Sequence, residues 1–326
     1  MKVLVTGTAG FIGYSLAQRL LARGDIVIGI DCVNDYYDVR LKEARVERLR
    51  EAGGNRFTFH RQDFADMAGL TASLEGVAFD RIVHLGAQAG VRYSIENPHA
   101  YVQANLVGHL NLLEVARHRQ VEHMVYASSS SVYGGNTKLP FAVEDRVDHP
   151  LSLYAATKKA DELMSETYAH LYRLPLTGLR FFTVYGPMGR PDMAYLIFTE
   201  KMLKGEPIEI FNEGRMGRDF TFIDDIVAGV LAAAARPPGP ETAFHRLYNL
   251  GNDRPEELMT LVSLLEKELG IEARKIYKGM QKGDVERTWA DISRARAELG
   301  YDPKTSLADG IARTIAWRKG LERPLY

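Results

Sequence analysis

A tyrosine and a lysine four residues apart, Tyr154 and Lys158, are the pair in this sequence best suited to acid–base chemistry. Residues at this spacing in a helix share one face. A phenol ordinarily titrates near ~10, but an ammonium ~4 Å away at an effective dielectric of ~20 stabilises the phenolate by about 4 kcal/mol, or roughly three pKa units. We therefore expect Lys158 to hold Tyr154 partly as phenolate. Alone the pair is weak evidence, because a half-buried tyrosine beside a solvated lysine has the same spacing.

The residues around this pair predict a helix. Ser152 is a suitable N-cap, and helix-forming residues dominate the sequence that follows it. Apolar residues fall on one face at helical spacing, namely Leu153, Ala156, Ala160, Leu163 and Met164.

Four consecutive serines, residues 128–131, follow a predicted strand and precede the helix by only a loop. Such a polar run is unsuited to a core. It is either a hydrated turn or part of a substrate site, and its position at a strand end favours the substrate site.

The start of the chain predicts a dinucleotide site. An apolar strand over Lys2–Thr6 leads into Gly7, Gly10 and Gly13, and an amphipathic helix follows over residues 15–23. Glycines in this strand–turn–helix context let backbone amides approach a pyrophosphate at a helix N-terminus. The spacing is Gly-x-x-Gly-x-x-Gly, whereas Gly-x-Gly-x-x-Gly is the commoner form.

Two acidic residues are placed to select the nucleotide. Asp31 ends the second predicted strand, where a carboxylate accepts the adenosine-ribose hydroxyls and repels a 2′-phosphate, which favours NAD over NADP. Its alternative role is to cap a helix or turn. Asp63 follows the third strand and is suited to the adenine amino group, or equally to capping the helix from Met67.

Composition and charge argue against several kinds of partner and site. A net charge of -1 over 326 residues argues against binding nucleic acid or an anionic membrane through overall charge. The single Cys32 allows no intrachain disulfide, and the histidines lack metal-ligand spacing, so we expect no metal site. The first strand begins at the initial methionine and no run of 18 apolar residues is present, so we expect a cytoplasmic protein.

Alternating strands and helices predict an α/β protein with a Rossmann-type doubly wound parallel sheet and a smaller C-terminal α/β substrate lobe. A long helix is expected from Pro98 to Arg119. We assign residues 1–186, with a crossing segment near 222–254, to the nucleotide-binding domain. Residues 187–221 and 255–326 are assigned to the substrate lobe.

The glycine turn, Asp31, the serines and the Tyr154–Lys158 pair together resemble the extended short-chain dehydrogenase/reductase family, and the similarity runs the whole chain. Within that family, four segments are similar to the 4-epimerases of UDP-glucuronate: residues 34–38, 87–94, 126–134 and 181–193. Two departures are Met188, where relatives usually have Trp, and Gly86, where they usually have Ala. Both concern local packing more than chemistry.

This resemblance implies bound NAD and a UDP-sugar substrate. Tyr154 would take the proton of the sugar 4-hydroxyl, Ser129 would hydrogen-bond that oxygen, and Lys158 would bind the nicotinamide ribose. The 4-keto sugar would then rotate about its diphosphate linkage, present its other face and regain the same hydride. Besides Tyr154 and Lys158, the expected NAD contacts are Gly7, Gly10, Phe11, Ile12, Gly13, Asp31, Asn34, Asp63, Phe64, Leu85, Ala87, Gln88 and Asn105.

A 4-keto uronate is a β-keto acid that loses carbon dioxide unless its carboxylate is held out of alignment with the carbonyl. We expect Thr183, Ser130 and Ser131, with either Arg190 or Arg92, to hold it. Decarboxylases and 4,6-dehydratases of the family have acids where this chain has Ser130 and Ser131, which argues against both reactions. Further expected substrate contacts are Phe211 with the uridine and Arg218 with the diphosphate; alternatively, Arg218 pairs with Asp224 or Asp225.

The predicted function is therefore NAD-dependent interconversion of UDP-glucuronate and UDP-galacturonate without decarboxylation. The family also implies a homodimer formed through the helices near residues 98–119 and 152–171. Two alternatives stay open: a 4-epimerase of neutral UDP-hexoses, and a non-catalytic NAD-binding scaffold.

Overall fold

A computed structural model describes residues 1–281 and 283–321. Its strands are β1 (Lys2–Thr6), β2 (Ile26–Asp31), β3 (Phe57–Arg61), β4 (Arg81–His84), β5 (His123–Ser129), β6 (Leu176–Phe181), β7 (Thr183–Tyr185), β8 (Ile208–Phe211), β9 (Gly217–Phe222), β10 (His245–Leu250), β11 (Pro255–Glu257) and β12 (Lys275–Lys278). Its α-helices are α1 (Phe11–Ala22), α2 (Val39–Gly53), α3 (Met67–Ser73), α4 (Tyr93–Glu96), α5 (Pro98–Tyr101), α6 (Gly108–His118), α7 (Leu153–Tyr172), α8 (Ala194–Leu203), α9 (Ile223–Ala234), α10 (Leu258–Leu269), α11 (Ser293–Leu299) and α12 (Leu307–Lys319).

Seven parallel strands form the main sheet, in the order β10-β6-β5-β4-β1-β2-β3. The order reverses beyond β1, which is the arrangement of a doubly wound fold. Side chains of β1 alternate between the two faces: Val3 and Val5 join one buried cluster, and Leu4 joins the other. The predicted Rossmann-type sheet is confirmed, because helices cover both of its faces.

The other five strands of the described residues form two short sheets. Strands β7, β9 and β11 form one, with β9 parallel to β7 and antiparallel to β11, and β8 pairs with β12 in the other. Strand β10, within the segment near 222–254, belongs to the main sheet, whereas β7, within residues 1–186, pairs with β9 outside it. The exact domain limits stay a prediction.

The predicted helix from Pro98 to Arg119 is not one regular α-helix. A π-helical segment, Val102–Val107, separates α5 from α6. Wider turns of this kind place one extra residue in the helix and often occur at functional sites. Asn105, whose side chain is buried, lies within this segment.

The buried face of α7 differs from the apolar face expected from its sequence. Leu163 lies 57% exposed, whereas Lys158 and Asp161 are buried. The predicted cap is confirmed, because the Ser152 hydroxyl oxygen accepts the amide of Ala155 at 3.1 Å. Helix α7 therefore turns a polar stripe toward the sheet and leaves leucines at the surface.

No helix in the described ranges is long and apolar enough to cross a membrane.

Candidate active site

A cavity of about 500 Å³ lies at the carboxyl ends of the central strands, where open α/β sheets bind ligands. The catalytic candidates Ser129, Tyr154 and Lys158 line it. So do all but one of the predicted cofactor contacts: Gly7, Gly10, Phe11, Ile12, Gly13, Asp31, Asn34, Asp63, Phe64, Leu85, Ala87 and Gln88.

The glycine turn leaves room for a phosphate group at the start of α1. Gly7 has a φ of +71°, and a Cβ there would lie 2.6 Å from the backbone nitrogen of Gly86. A Cβ at Gly13 would collide with the Gly7 carbonyl oxygen. The first turn of α1 contains no acidic residue, so its unpaired amides favour an anion. These residues fit a dinucleotide.

Gly86 departs from the usual alanine for a reason that the packing makes clear. A Cβ at this position would lie 2.5 Å from Cε1 of Phe64, whose ring is buried in the cavity wall. The Phe64 ring therefore occupies the space that an alanine methyl would need. Met188, the other departure, is buried at a φ of +58°, and its carbonyl accepts a hydrogen bond from Arg45 at 2.7 Å.

Asp31 lines the cavity and also fixes the loops beside it. Its oxygens accept the amide of Ala9 at 3.0 Å and the amide of Val33 at 2.8 Å. Burial raises the pKa of Asp31, and these amides and the nearby Lys42 oppose that rise. The two roles considered for Asp31, cofactor contact and turn cap, are therefore compatible.

The capping role considered for Asp63 is wrong. Helix α3 is capped by Asp66, whose side chain accepts the amide of Gly69 at 3.2 Å. Asp63 instead accepts the amide of Ala65 at 2.9 Å and faces the cavity.

Asn105 is the predicted cofactor residue that does not line the cavity. Its Oδ1 accepts the amide of Gln88 at 2.9 Å, and its Nδ2 donates to the Gln88 carbonyl at 3.1 Å and to the Thr157 hydroxyl at 3.0 Å. Asn105 therefore supports the cavity wall from behind, because all its polar atoms are used to hold that wall.

Two of the catalytic candidates that line the cavity, Tyr154 and Lys158, have further contacts within the protein. The Tyr154 ring packs edge-on against Tyr101, with centroids 6.0 Å apart. The Lys158 ammonium donates to the carbonyl of Ala127 at 3.1 Å and to Asp161 at 3.0 Å. The spacing of Tyr154 and Lys158 gives no sign of Asp161, and the lysine is bound to this buried carboxylate.

Ser128, the first serine of the run, belongs to a buried hydrogen-bond network. Ser128 donates to Glu162 at 2.7 Å, and Arg180 binds the same carboxylate through Nε at 2.8 Å and Nη2 at 2.9 Å. Although burial opposes it, Arg180 lowers the pKa of Glu162, so the pair stays ionised. This buried network joins β5, β6 and α7 and fixes the turn that carries Ser129.

A second cavity, of about 150 Å³, lies on the far side of the serines. Ser130, Ser131, Thr183 and Arg218 line it, as does Asp284. Ser129 links the two cavities, because it lines the first and its Oγ donates to the Ser131 hydroxyl at 3.1 Å.

Arg218 does not pair with Asp224 or Asp225, so that alternative is wrong. Its Nη1 donates to the carbonyls of Gly217 at 2.9 Å and Glu286 at 3.1 Å. Asp224 pairs with Arg313, and Asp225 accepts backbone amides. Part of the Arg218 guanidinium is thus available toward the second cavity.

The other predicted substrate contacts lie at different places. Arg190 lines the first cavity and pairs with Asp192 at 2.5 Å. Arg92 lies over the ring of Phe211, 5.4 Å from its centroid, and pairs with Asp284 at 3.2 Å. Neither Arg92 nor Phe211 is part of the lining of the two cavities.

The described residues contain no group of three or more His, Cys, Asp or Glu side chains that could hold a metal ion. The buried histidines are instead neutral packing groups. Burial lowers the pKa of His84 to about 3 and that of His123 to about 4.

The doubly wound sheet, the glycine turn and the Ser129–Tyr154–Lys158 set define an extended short-chain dehydrogenase/reductase. Residues 4–314 match the family model described as GDP-mannose 4,6 dehydratase, and the chain belongs to that family.

Within the family, the chain is similar to proteins named for one reaction. It is 47% identical over 331 residues to the probable UDP-glucuronate 4-epimerase of Rhizobium meliloti, covering 97% of this chain and 96% of the relative. The crystal structure of the UDP-glucuronic acid 4-epimerase from Bacillus cereus, in complex with UDP-glucuronic acid and NAD, superposes with a TM-score of 0.89 at 36% identity, covering 98% and 99% of the two chains.

A neutral-sugar enzyme is also similar, at lower identity. The UDP-glucose 4-epimerase of Thermotoga maritima, crystallised with UDP-glucose, gives a TM-score of 0.87 at 30% identity over 98% of this chain and 99% of its own. The resemblance noted from the sequence, to the extended short-chain dehydrogenases and to UDP-glucuronate 4-epimerases, is confirmed.

Proposed function

We propose that this protein is an NAD-dependent 4-epimerase that interconverts UDP-glucuronate and UDP-galacturonate without decarboxylation. One observation carries the proposal: a cavity suited to a dinucleotide, with Tyr154, Lys158 and Ser129, adjoins a second cavity lined by Ser130, Ser131 and Thr183. The similarity to UDP-glucuronate 4-epimerases of Rhizobium meliloti and Bacillus cereus supports it.

NAD, when bound, supplies an acceptor for the hydride of sugar carbon 4 and later returns it. Tyr154 accepts the proton of the 4-hydroxyl, and Ser129 hydrogen-bonds the same oxygen. Lys158 provides positive charge near the phenol. After the 4-keto sugar rotates to present its other face, carbon 4 regains hydride on that face and Tyr154 returns the proton to the 4-oxygen, so no net oxidation results.

The second cavity suits a carboxylate that must not be lost. The hydroxyls of Ser130, Ser131 and Thr183 can donate to it and hold it away from the geometry in which the carbon–carbon bond breaks. The positions of Ser130 and Ser131 carry no carboxylic acid to assist elimination or C5 chemistry. The carboxylate that does line this cavity, Asp284, is paired with Arg92. Arg218, beside this cavity, is suited to the diphosphate.

The main alternative is epimerisation of a neutral UDP-hexose, which the similarity to the Thermotoga maritima enzyme favours. The concentration of hydroxyl donors argues against it, because a neutral C6 alcohol needs fewer of them. Turnover of UDP-glucuronate compared with UDP-glucose separates the two functions.

We also propose that two copies of the chain pair through α7 and the helical segment from α5 to α6. Leucines are exposed on both elements, including Leu110 at 39% and Leu163 at 57%. These two elements pack side by side, so their exposed residues can belong to one surface. The expected cytoplasmic location stays a prediction.

The proposed activity is tested by incubating the purified protein with UDP-glucuronate and separating the products. UDP-galacturonate is expected, and Tyr154→Phe should lower the rate by about 10²–10⁴-fold while NAD stays bound, because only the proton acceptor is lost. Formation of a UDP-pentose would mean decarboxylation. Turnover of UDP-glucose in preference to UDP-glucuronate would establish the alternative.

A further inference from the structure

Asp161 is a buried carboxylate one helical turn beyond Lys158. Its Oδ2 accepts a hydrogen bond from the Lys158 ammonium at 3.0 Å, and the two side chains are 0% and 3% exposed. Its Oδ1 is also buried and has no hydrogen-bond partner within the described part of the chain. Asp161 therefore depends on Lys158 for its charge compensation.

The next residue on α7 shows what a fully satisfied buried acid looks like here. Glu162 receives two hydrogen bonds from Arg180 and one from Ser128. Asp161 has no comparable set of donors. Since removing two charges from water costs about as much as their attraction returns, a buried pair with an unmet acceptor is a poor device for stability.

The position of the pair suggests an electrostatic role instead. Lys158 lines the large cavity together with Tyr154 and Ser129. Oxidised nicotinamide carries a positive charge and reduced nicotinamide does not, so an uncompensated ammonium nearby would favour the reduced form. An epimerase must return its hydride in every cycle, and a strongly favoured reduced form would delay that return.

We propose that Asp161 is a positioning residue that holds the Lys158 ammonium at the end of β5 and offsets part of its charge beside the cofactor, which keeps the reduced cofactor short-lived. This inference rests on the proposed NAD site. It extends the Ser129–Tyr154–Lys158 set by one group that acts through the lysine and does not itself reach the substrate.

The test uses the NAD-bound protein and a substitution that keeps the shape of the side chain. Sodium cyanoborohydride delivers hydride to the nicotinamide ring, and the reduced ring absorbs at 340 nm. Asp161→Asn keeps an oxygen for Lys158 but removes the charge. A unit charge acting over about 10 Å at an effective dielectric of about 20 changes an equilibrium roughly tenfold, so we expect reduction to be faster and more complete by up to that factor.

Glu166→Gln is the matched control. It makes the same change of charge on the same helix, but the Glu166 side chain is 67% exposed and pairs with His245, away from Lys158. We expect reduction within twofold of the unsubstituted protein. If Asp161→Asn binds NAD and is also reduced at that rate, the proposed role of Asp161 is wrong.

The unsubstituted protein provides a second test if Asp161→Asn does not fold. Burial, opposed by Lys158, raises the pKa of Asp161 to about 6. Lowering the pH from 8 to 5 therefore removes the Asp161 charge in place. We expect cyanoborohydride reduction, corrected with free NAD at each pH, to increase through pH 6; a flat profile would contradict the proposal.

The other groups that face Asp161 do not titrate in this range. Burial lowers the pKa of His84 on β4 to about 3 and that of His109 on α6 well below its usual value. Burial raises the pKa of Tyr126 on β5, and despite burial Arg180 lowers that of Glu162. The same profile measured on Tyr154→Phe removes the phenol that we expect to ionise beside the cofactor, so an increase near pH 6 that remains in this variant is attributable to Asp161.

This experiment is independent of the sugar. If UDP-glucuronate is not epimerised but the protein holds NAD, the reduction assay still supports or contradicts the role of Asp161. Failure to hold NAD would instead refute the proposed function, and with it the site on which the inference rests.

Discussion

At the scale of single residues, the proposed role of Thr183 is to hold the sugar carboxylate so that epimerisation proceeds without loss of carbon dioxide. It begins β7 and lines the second cavity opposite Ser130 and Ser131. A hydroxyl that donates to an ionised carboxylate contributes about 1.5–3 kcal/mol. Its removal should affect both affinity for the uronate and the fate of the 4-keto intermediate.

We predict that Thr183→Val lowers kcat/KM for UDP-glucuronate by about 10–100-fold, since one charge-assisted hydrogen bond is lost without a change in shape. A UDP-pentose should appear among the products, because the carboxylate is held less firmly. Chromatographic separation of the products gives both quantities. Thr199→Val, the same change in α8 where the hydroxyl donates to the Tyr195 carbonyl at 2.7 Å, should leave the product ratio unaltered. Unchanged kinetics for Thr183→Val would remove Thr183 from the carboxylate site.

Residue types and spacing predicted most of the side chains that line the cavity, but not the position of Asn105 behind its wall, nor how the lining side chains are held. Tyr154, Lys158 and Ser129 follow from motifs whose members lie close in sequence or at strand ends. The pairing of Arg180 with Glu162 joins a strand to a helix, and no local sequence pattern predicts it. The burial of Asp161 was not predictable either, because an acid three residues after a lysine usually forms a surface pair.

At the scale of elements, the π-helical segment between α5 and α6 positions one wall of the cavity. Asn105 lies in this segment, and its side-chain amide group binds both the N–H and the carbonyl of Gln88, in the loop after β4. A side-chain amide used in this way replaces a missing strand partner. The cavity wall at Gln88 therefore depends on the local geometry of a helix more than ten residues further along the chain.

We predict that Asn105→Ala destabilises the protein by about 2–4 kcal/mol, because it leaves buried backbone groups of Gln88 without partners. NAD should also dissociate more readily, as the loop that lines its cavity loses its support. Urea unfolding measures the first effect, and NAD retained after gel filtration measures the second. Asn136→Ala, which removes an exposed side-chain bond to the Arg146 carbonyl at 2.8 Å, is the control and should change neither. Full NAD retention in Asn105→Ala would show that Gln88 needs no such support.

Elements were predictable where burial on both faces gives a continuous apolar run. Strands β1 and β2 are such cases, and β1 has the predicted bounds. The break between α5 and α6 was not predictable, since no proline or glycine marks a π-helical turn at residues 102–107. The buried face of α7 was also misjudged, because Glu162 is satisfied by partners on other elements and Asp161 pairs with Lys158 inside the protein.

At the scale of the whole molecule, α7 and α6 expose leucines that are available to an interface with a second copy of the chain. Leu163 is 57% exposed and Leu171 is 61% exposed, although both lie on the helix that carries Tyr154 and Lys158. Contiguous exposed apolar surface on a folded protein commonly marks an interface. A dimer formed there would bury the outer face of the catalytic helix and limit its motion.

We predict that Leu163→Glu converts the dimer to single chains, because a carboxylate placed in an apolar interface must lose its hydration without gaining a partner. Sedimentation velocity should then give a mass close to the 36.5 kDa of one chain, whereas the unsubstituted protein should give twice that mass. Leu203→Glu on α8, where the leucine is 41% exposed but lies outside these helices, should remain a dimer. If the unsubstituted protein sediments as one chain, the exposed leucines need another explanation, and α7 must be held in place by its buried polar contacts alone.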